Sequence, residues 1–422
     1  MPKPSPSLVS GLESVRIQNQ EKFDALEQVD GVVIVGSTCA GKSVVIDAVR
    51  QSYLALQGII EVPKRYITRP QRAKDNIVEN AFVTPEEFQE KVEGDEIGLH
   101  WIRKMEGDRE ERYGFHRTTG DALPVYSGNN ALYNNAESVR PEGILKNALL
   151  LGVYAPDEVR KERLVSRSPD LLKDRPEEVA YRLGDSSENM LPHIHVLVDN
   201  HGQHEQISRA EVMRLIERIV CARRNLITAL DKPVEQYRGR LIRIATQRMG
   251  FPDASEKSFE FAERAPGVRI LVTDGERILL TKEWRSETQN WDHRLPGGKV
   301  FDTLEEYLAE KDKGDEHLQA WALAAARKEL SEETSLQMPA DAFKHIGRSV
   351  AGATVVWDLH YYMVETAKQE AALPGITTSE GEQTHPEWLT YEQVKSLCVE
   401  GHVQEDRTVA VLLRYLLSKE GK

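Results

Sequence analysis

Residues 32–50 read VVIVGSTCAGKSVVIDAVR. An apolar, strand-like run gives way to a small-residue loop, Gly36, Ser37, Thr38, Cys39, Ala40, Gly41, Lys42 and Ser43, and then to a helical pattern. The loop fits G-x-x-x-x-G-K-[ST] at every fixed position. In that strand–loop–helix setting, glycines let backbone N–H groups face an anion, and the helix N-terminus adds positive potential. Lys42 is expected to bridge phosphate oxygens and Ser43 to offer its hydroxyl to Mg²⁺. The stretch therefore predicts a nucleotide-binding α/β unit around a strand buried on both faces.

Working outward, residues 31 to about 225 alternate short apolar runs (GVVIVG, NALLLGVYAP, IHVLVDN) with helical stretches, which suggests a mainly parallel sheet covered by helices. Residues 11–29 read as a polar helix leading into the first strand. After Pro233 the character changes: RILVTDGERILLTKEW is a hairpin signal around Asp274-Gly275, followed by LPGG, a long acidic helical region to about 335, further strands and a C-terminal helix. At 422 residues two domains are expected. We divide the chain into an extension (1–30), a first domain (31–225), a linker (226–254) and a second domain (255–422).

Acidic residues outnumber basic ones, 68 to 55, for a net charge of -13, which argues against nucleic-acid or membrane binding through charge alone. No apolar run reaches the roughly 18 residues that span a bilayer, and the first ten residues lack the apolar core of a secretory signal, so a cytoplasmic location is expected. Cys39, Cys221 and Cys398 are too scattered for a metal cluster or disulfide framework.

Downstream of the loop, RYITRP (65–70) sets Arg65 and Arg69 on either side of Thr68, a pattern suited to an anionic acceptor because guanidinium grips phosphate bidentately. Then come Glu79-Asn80 in ENAFVT, the helix start TPEEF, Leu99-His100-Trp101 and Tyr113-Gly114-Phe115. Together with VDNHG (198–202), these motifs resemble the guanylate-kinase-like phosphotransferases, and most of all the ribose 1,5-bisphosphate phosphokinases, which make phosphoribosyl pyrophosphate from ATP. The short ENAFVT segment favours the sugar-phosphate branch over guanylate kinases; phosphorylation of a nucleoside monophosphate such as GMP is the alternative. The charged connection IRKMEGDREER departs from the family pattern. The resemblance implies an α/β P-loop kinase domain with a parallel sheet and helices on both faces. It also implies acceptor contacts from Arg65, Thr68, Arg69, Glu79, Asn80, His100 and Tyr113, and ATP contacts from Arg163 and Arg167, which share a helix face with Arg160 where related kinases close a lid. Transfer needs positioning and charge compensation more than a base, with Lys42 and Arg69 as its main agents.

In the second half, Glu329, Glu332 and Glu333 lie three and four positions apart, on one helix face, where like charges repel unless a cation such as Mg²⁺ joins them. With Gly297-Gly298 of LPGGKV and KELSEETSL (328–336), they resemble a Nudix box. RAPGV, EWRSE with Arg285, and the final GHVQEDRTVAVLLRYL resemble the ADP-ribose pyrophosphatases of that family. The resemblance implies an α+β Nudix fold (an α/β/α sandwich). It further implies Mg²⁺ on Glu329, Glu332 and Glu333, substrate contacts from Arg285, Gly297 and Gly298, and an additional base among Glu380, Glu382 and Glu387. Members of this group are often dimers, which implies a homodimer through the second domain. Lys328 stands where the box has arginine and Ser335 where it has glycine. An insertion at about 301–318 leaves the first box glutamate open among Glu305, Glu306 and Glu316. The expectation is a two-activity enzyme handling small phosphorylated sugars and nucleotides: an ATP-dependent kinase fused to a Mg²⁺-dependent diphosphatase. A kinase whose degraded Nudix half only senses a nucleotide is the alternative.

Overall fold

The strand Val32–Val35 is buried along its whole length, and its alternate residues enter two different cores. Val32 and Ile34 pack with Val45, Ile46, Val49 and Leu215, whereas Val33 and Val35 pack with Leu99, Trp101, Phe115 and Leu150. A strand with helices on one side and a second layer on the other has no polar face, which is why VVIV carries no alternation. The computed structural model describes residues 9–420 except 10, 19–25, 72–76, 105–109, 119, 129–131, 133–146, 168, 170–175, 185–193, 353, 369–375 and 378–382. These residues fall into two compact units, 1–232 with 247–259, and 233–246 with 260–422.

In the first unit, six strands run in the order Val15–Ile17, Val196–Asp199, Leu149–Tyr154, Val32–Val35, Leu123–Ser127, Ile60–Glu61. All neighbours are parallel except the first pair. After Val32–Val35 the chain adds strands on one side, then crosses to the other, so the C-terminal end of this strand is a topological switch point where ligands bind in open α/β sheets. A second sheet, Asn80–Phe82, Arg65–Ile67, Glu110–His116, Ile97–Lys104, carries the motifs expected to hold the acceptor. The helix Pro85–Glu93 starts as TPEEF suggests, with a Thr84–Glu87 capping box and proline at its first turn.

Two expectations are corrected. The stretch 11–29, expected as a polar helix, contains the edge strand Val15–Ile17 and a short 3₁₀ turn, Leu26–Gln28. Val15–Ile17 pairs antiparallel with residues 196–198, and the buried Glu211 carboxylate accepts the N–H groups of the preceding Glu13 and Ser14, each at 2.7 Å, so tertiary contacts fix this segment. The expected linker 226–254 is built of strands: Thr228–Ala229 pairs with Met249 and Gly250, and Val234–Arg238 pairs with 243–246.

In the second unit the sheet order is Lys344–Ser349, Leu359–Glu365, Gly267–Thr273, Arg277–Arg285, Gln383–Thr390, Ile376–Thr377, with Asn290–Arg294 also paired to Arg277–Arg285. The sheet is mixed, Gly267–Thr273 being parallel to Leu359–Glu365 and antiparallel to Arg277–Arg285. One face packs Ile270, Val272 and Leu279 against Ala322, Ala326 and Leu330 of the helix Asp315–Thr334. The other packs Leu271, Ile278 and Leu280 against the helices Tyr391–Val399 and Asp406–Glu420. This is an α/β/α sandwich. The insertion 301–318 is ordered around the helix Leu304–Glu310, capped by Thr303 and Glu306. Among the described residues no helix is long and apolar enough to cross a membrane.

Candidate functional sites

The loop 36–43 leaves the switch-point end of Val32–Val35 and enters the helix Lys42–Gln51, whose N-cap, Gly41, gives no side-chain cap and leaves the first turn open to a ligand. Gly41 has φ 100°, and a Cβ there would lie 1.9 Å from Asn200 Nδ2, so this position takes only glycine. Lys42 folds back along the loop, its Nζ donating to Gly36 O at 3.2 Å. Ser37 is 2% exposed and its Oγ has no hydrogen-bond partner among the described residues. A buried hydroxyl without a partner is a group that a ligand oxygen would satisfy. Ala40 is buried, Thr38 and Cys39 are partly exposed, and Ser43 is exposed beside Lys42.

The two arginines of the helix Asp157–Arg167 expected to reach ATP differ in their contacts. Arg163 gives Nη1 to the carbonyls of Cys39 and Ala40 and Nη2 to that of Asn200, at 3.3, 3.4 and 2.7 Å. Arg167, one turn on, is exposed and makes no hydrogen bond to the loop among the described residues. Helical spacing gives a shared face but not what that face meets.

The acceptor candidates gather on the second sheet. Arg65 Nε donates to Asn80 Oδ1 at 2.9 Å and its guanidinium lies 6.0 Å from the Tyr113 ring centre. Arg69 sits over Phe82 at 5.3 Å. Glu79 accepts from Arg50 Nη1 at 2.9 Å, which ties this sheet to the helix that follows the loop; burial and Glu79 together raise the Asp47 carboxyl. His100, held neutral-leaning by burial and then Arg112, stands edge-on to Phe88. Three candidates serve the framework instead. Thr68 exchanges hydrogen bonds with Arg112, Oγ accepting from its N–H at 2.9 Å. Asn80 is buried, and Tyr113, 5% exposed, stacks on the core residue Trp101 and donates its hydroxyl to Glu111.

In the second unit a cavity of about 430 Å³ opens beside the glycine turn, and its lining mixes the carboxylates of Glu283, Glu287, Glu329, Glu332, Glu333 and Asp302 with the cationic side chains of Arg264, Arg269, Arg285, Arg294, Lys299 and Lys328. The alanine-rich run AWALAAARKEL makes a strong helix former, and its buried stripe, Ala322, Ala326, Leu330, Glu333, faces the sheet. That stripe carries Glu333 inward and leaves Glu332 on the exposed flank. Gly297 N–H donates to Glu333 Oε2 at 3.0 Å. Gly298 lies so close to Glu329 that a Cβ would meet Oε1 at 2.2 Å. Burial, then the neighbouring Glu283 and Glu329 carboxylates, push Glu333 well above the usual carboxylate range, against the Gly297 amide and Arg269. Residues 263–410 match a family model described as NUDIX domain.

This segment is a NUDIX domain. NUDIX domains imply hydrolysis of nucleoside diphosphate derivatives, generally with Mg²⁺. No curated protein matches the chain. Among the described residues no three acidic, His or Cys side chains converge as a ready metal-ligand set. Mg²⁺ takes one or two carboxylates and keeps several waters, so it needs no such set, and three mutually repelling carboxylates supply the negative charge it would neutralise. The NUDIX cavity therefore fits the ion.

Several box expectations are refined. Glu305 and Glu316 do not line the cavity, and Glu306 is the capping partner of Thr303. Ser335 does adopt the left-handed helix end, φ 61°, that glycine usually fills. Glu387 lies outside the cavity lining, 4.0 Å from His293 Nε2; Glu380 and Glu382 lie outside the described residues. Arg285 lines the cavity and donates to Glu287 at 2.8 Å. Glu283 was missed. It stands two residues before Arg285 on one strand, so the two-residue period could have placed both on the cavity face.

Proposed function

We propose that the chain is a two-activity enzyme of phosphorylated ribose and nucleotide metabolism. In the second unit, a nucleoside diphosphate derivative such as ADP-ribose is hydrolysed at its diphosphate. The observation that carries this reading is the mixed-charge cavity, where the carboxylates of Glu283, Glu329 and Glu333 share one lining with the guanidinium groups of Arg264 and Arg285. The arginines suit the diphosphate oxygens, the glycine turn brings backbone close to the carboxylates, and the Gly297 amide orients Glu333. Bound Mg²⁺ would compensate the diphosphate charge and make water a stronger nucleophile.

In the first unit, an oxygen of the 1-phosphate of ribose 1,5-bisphosphate takes the γ-phosphoryl of ATP, releasing ADP and giving phosphoribosyl pyrophosphate. The loop at the switch point, with Lys42 and the unpartnered Ser37 hydroxyl, supports nucleotide binding; Arg65 and Arg69 support an anionic acceptor. Incubation with Mg²⁺ and ATP plus ribose 1,5-bisphosphate, GMP or dTMP tests the acceptor: product from GMP alone would replace the sugar reading with a nucleoside monophosphate kinase. Incubation with ADP-ribose should yield AMP and ribose 5-phosphate; intact ADP-ribose rejects that substrate. A second reading, a NUDIX half that binds a nucleotide without turnover, is favoured by Lys328 in place of the box arginine and by the absence of Glu305, Glu306 and Glu316 from the cavity lining. Thermal stabilisation by ADP-ribose without cleavage would select it.

A further inference from the structure

We propose that Arg160 and Arg163, with Asn200, are positioning residues that hold the phosphate loop in shape from outside and touch no phosphate themselves. The inference rests on the reading of residues 36–43 as a nucleotide loop. A backbone that turns successive N–H groups toward an anion turns its carbonyls the other way, and carbonyls facing protein need donors. Three consecutive loop carbonyls receive them here. Arg160 Nε donates to Thr38 O at 2.9 Å, Arg163 Nη1 reaches Cys39 O, and Asn200 Nδ2 donates to Ala40 O at 2.7 Å.

The brace is itself anchored. Arg160 is fully buried and its Nη1 donates to Asp157 at 2.7 Å. Arg163 pairs with Glu205 at 3.1 Å, and Ser208 Oγ donates to Asn200 Oδ1 at 2.9 Å. Both guanidinium charges are thus balanced by carboxylates before any nucleotide arrives. Cys39 is held at φ 64°, a left-handed conformation uncommon for a residue with a side chain and one that persists only where surroundings over-determine it. The Arg163 bond to its carbonyl supplies that determination, and the rigid guanidinium fork suits a task that needs several donors in fixed directions.

The test uses the full chain and measures Mg²⁺-ADP and Mg²⁺-ATP affinities by displacement of a fluorescent ADP analogue. Arg163→Met is expected to weaken both nucleotides by the same factor, about tenfold or more, because the loop that holds the β-phosphate deforms. Arg163→Lys should recover part of the loss through one carbonyl bond, and Arg160→Lys, which keeps the buried charge but loses the Thr38 link, should again weaken both equally. Unaltered circular dichroism separates these effects from unfolding; if Arg163→Met unfolds, the two lysine variants decide. Loss of ATP affinity alone would place the guanidinium on the γ-phosphate and overturn the proposal, as would unchanged affinity for both nucleotides. A wild-type chain that binds neither nucleotide would instead overturn the phosphate-loop reading.

Discussion

The N–H of Gly297 donates to Glu333 Oε2 at 3.0 Å, so a backbone-to-carboxylate bond joins the glycine turn to the long helix of the NUDIX domain. It offsets part of the cost of burying Glu333 among Glu283 and Glu329.

Replacing Glu333 by Gln should separate activity from stability. ADP-ribose hydrolysis is expected to fall at least 100-fold, while the metal-free melting temperature stays equal or rises, because a buried carboxylate surrounded by like charges is removed. Product chromatography and calorimetry on the same samples check this; a fall in both would make Glu333 a structural residue.

Mg²⁺ should stabilise the wild-type NUDIX domain and not the Glu329→Gln/Glu333→Gln double variant. At 100 times the dissociation constant the expected gain is about 2.7 kcal/mol. Melting curves with Mg²⁺ and with a chelator read it directly.

Gly298→Ala introduces a Cβ 2.2 Å from Glu329 Oε1. The carboxylate must move, so hydrolysis should drop at least tenfold with little change in far-UV circular dichroism.

Lys42→Ala should abolish ATP binding by the first unit and leave ADP-ribose hydrolysis within about twofold of wild type, if the units act independently. Parallel assays of both reactions decide it.

Burial pushes the Glu217 carboxyl up to about 7, despite an Arg248 Nη2 donor at 3.0 Å. A folded-state value above the unfolded one means that folding is favoured by protonation. The stability linked to Glu217 is therefore fully present below about 4.5 and is lost as pH rises through 7. Glu217→Gln should flatten this fall, so that the variant gains on wild type between pH 5 and pH 8 in thermal midpoint.

Much of the fold is legible in local sequence because its signals are local. TPEEF announces a capped helix, VVIV a strand buried on both sides, and Asp274-Gly275 a hairpin, each through chemistry confined to a few neighbouring residues. The edge strand at Val15–Ile17 was hidden for the opposite reason: it pairs with residues 196–198, and the residues leading into it bond to Glu211, both nearly two hundred residues away. The same distinction runs through the sites. Arg163 is a lid candidate by spacing and a loop brace by contact. Glu283 has no motif of its own and joins the cavity only because strand and helix converge there.

The sequence by itself determined the phosphate-loop pattern, the glutamate-bearing helix and the division into two kinds of unit, since composition and short-range periodicity encode these. Only the tertiary structure decided which carboxylates crowd together, which arginines are already engaged and which polar atoms are buried without a partner. Those properties depend on distances between segments remote in the chain, and electrostatic and desolvation energies are set by such distances rather than by residue order.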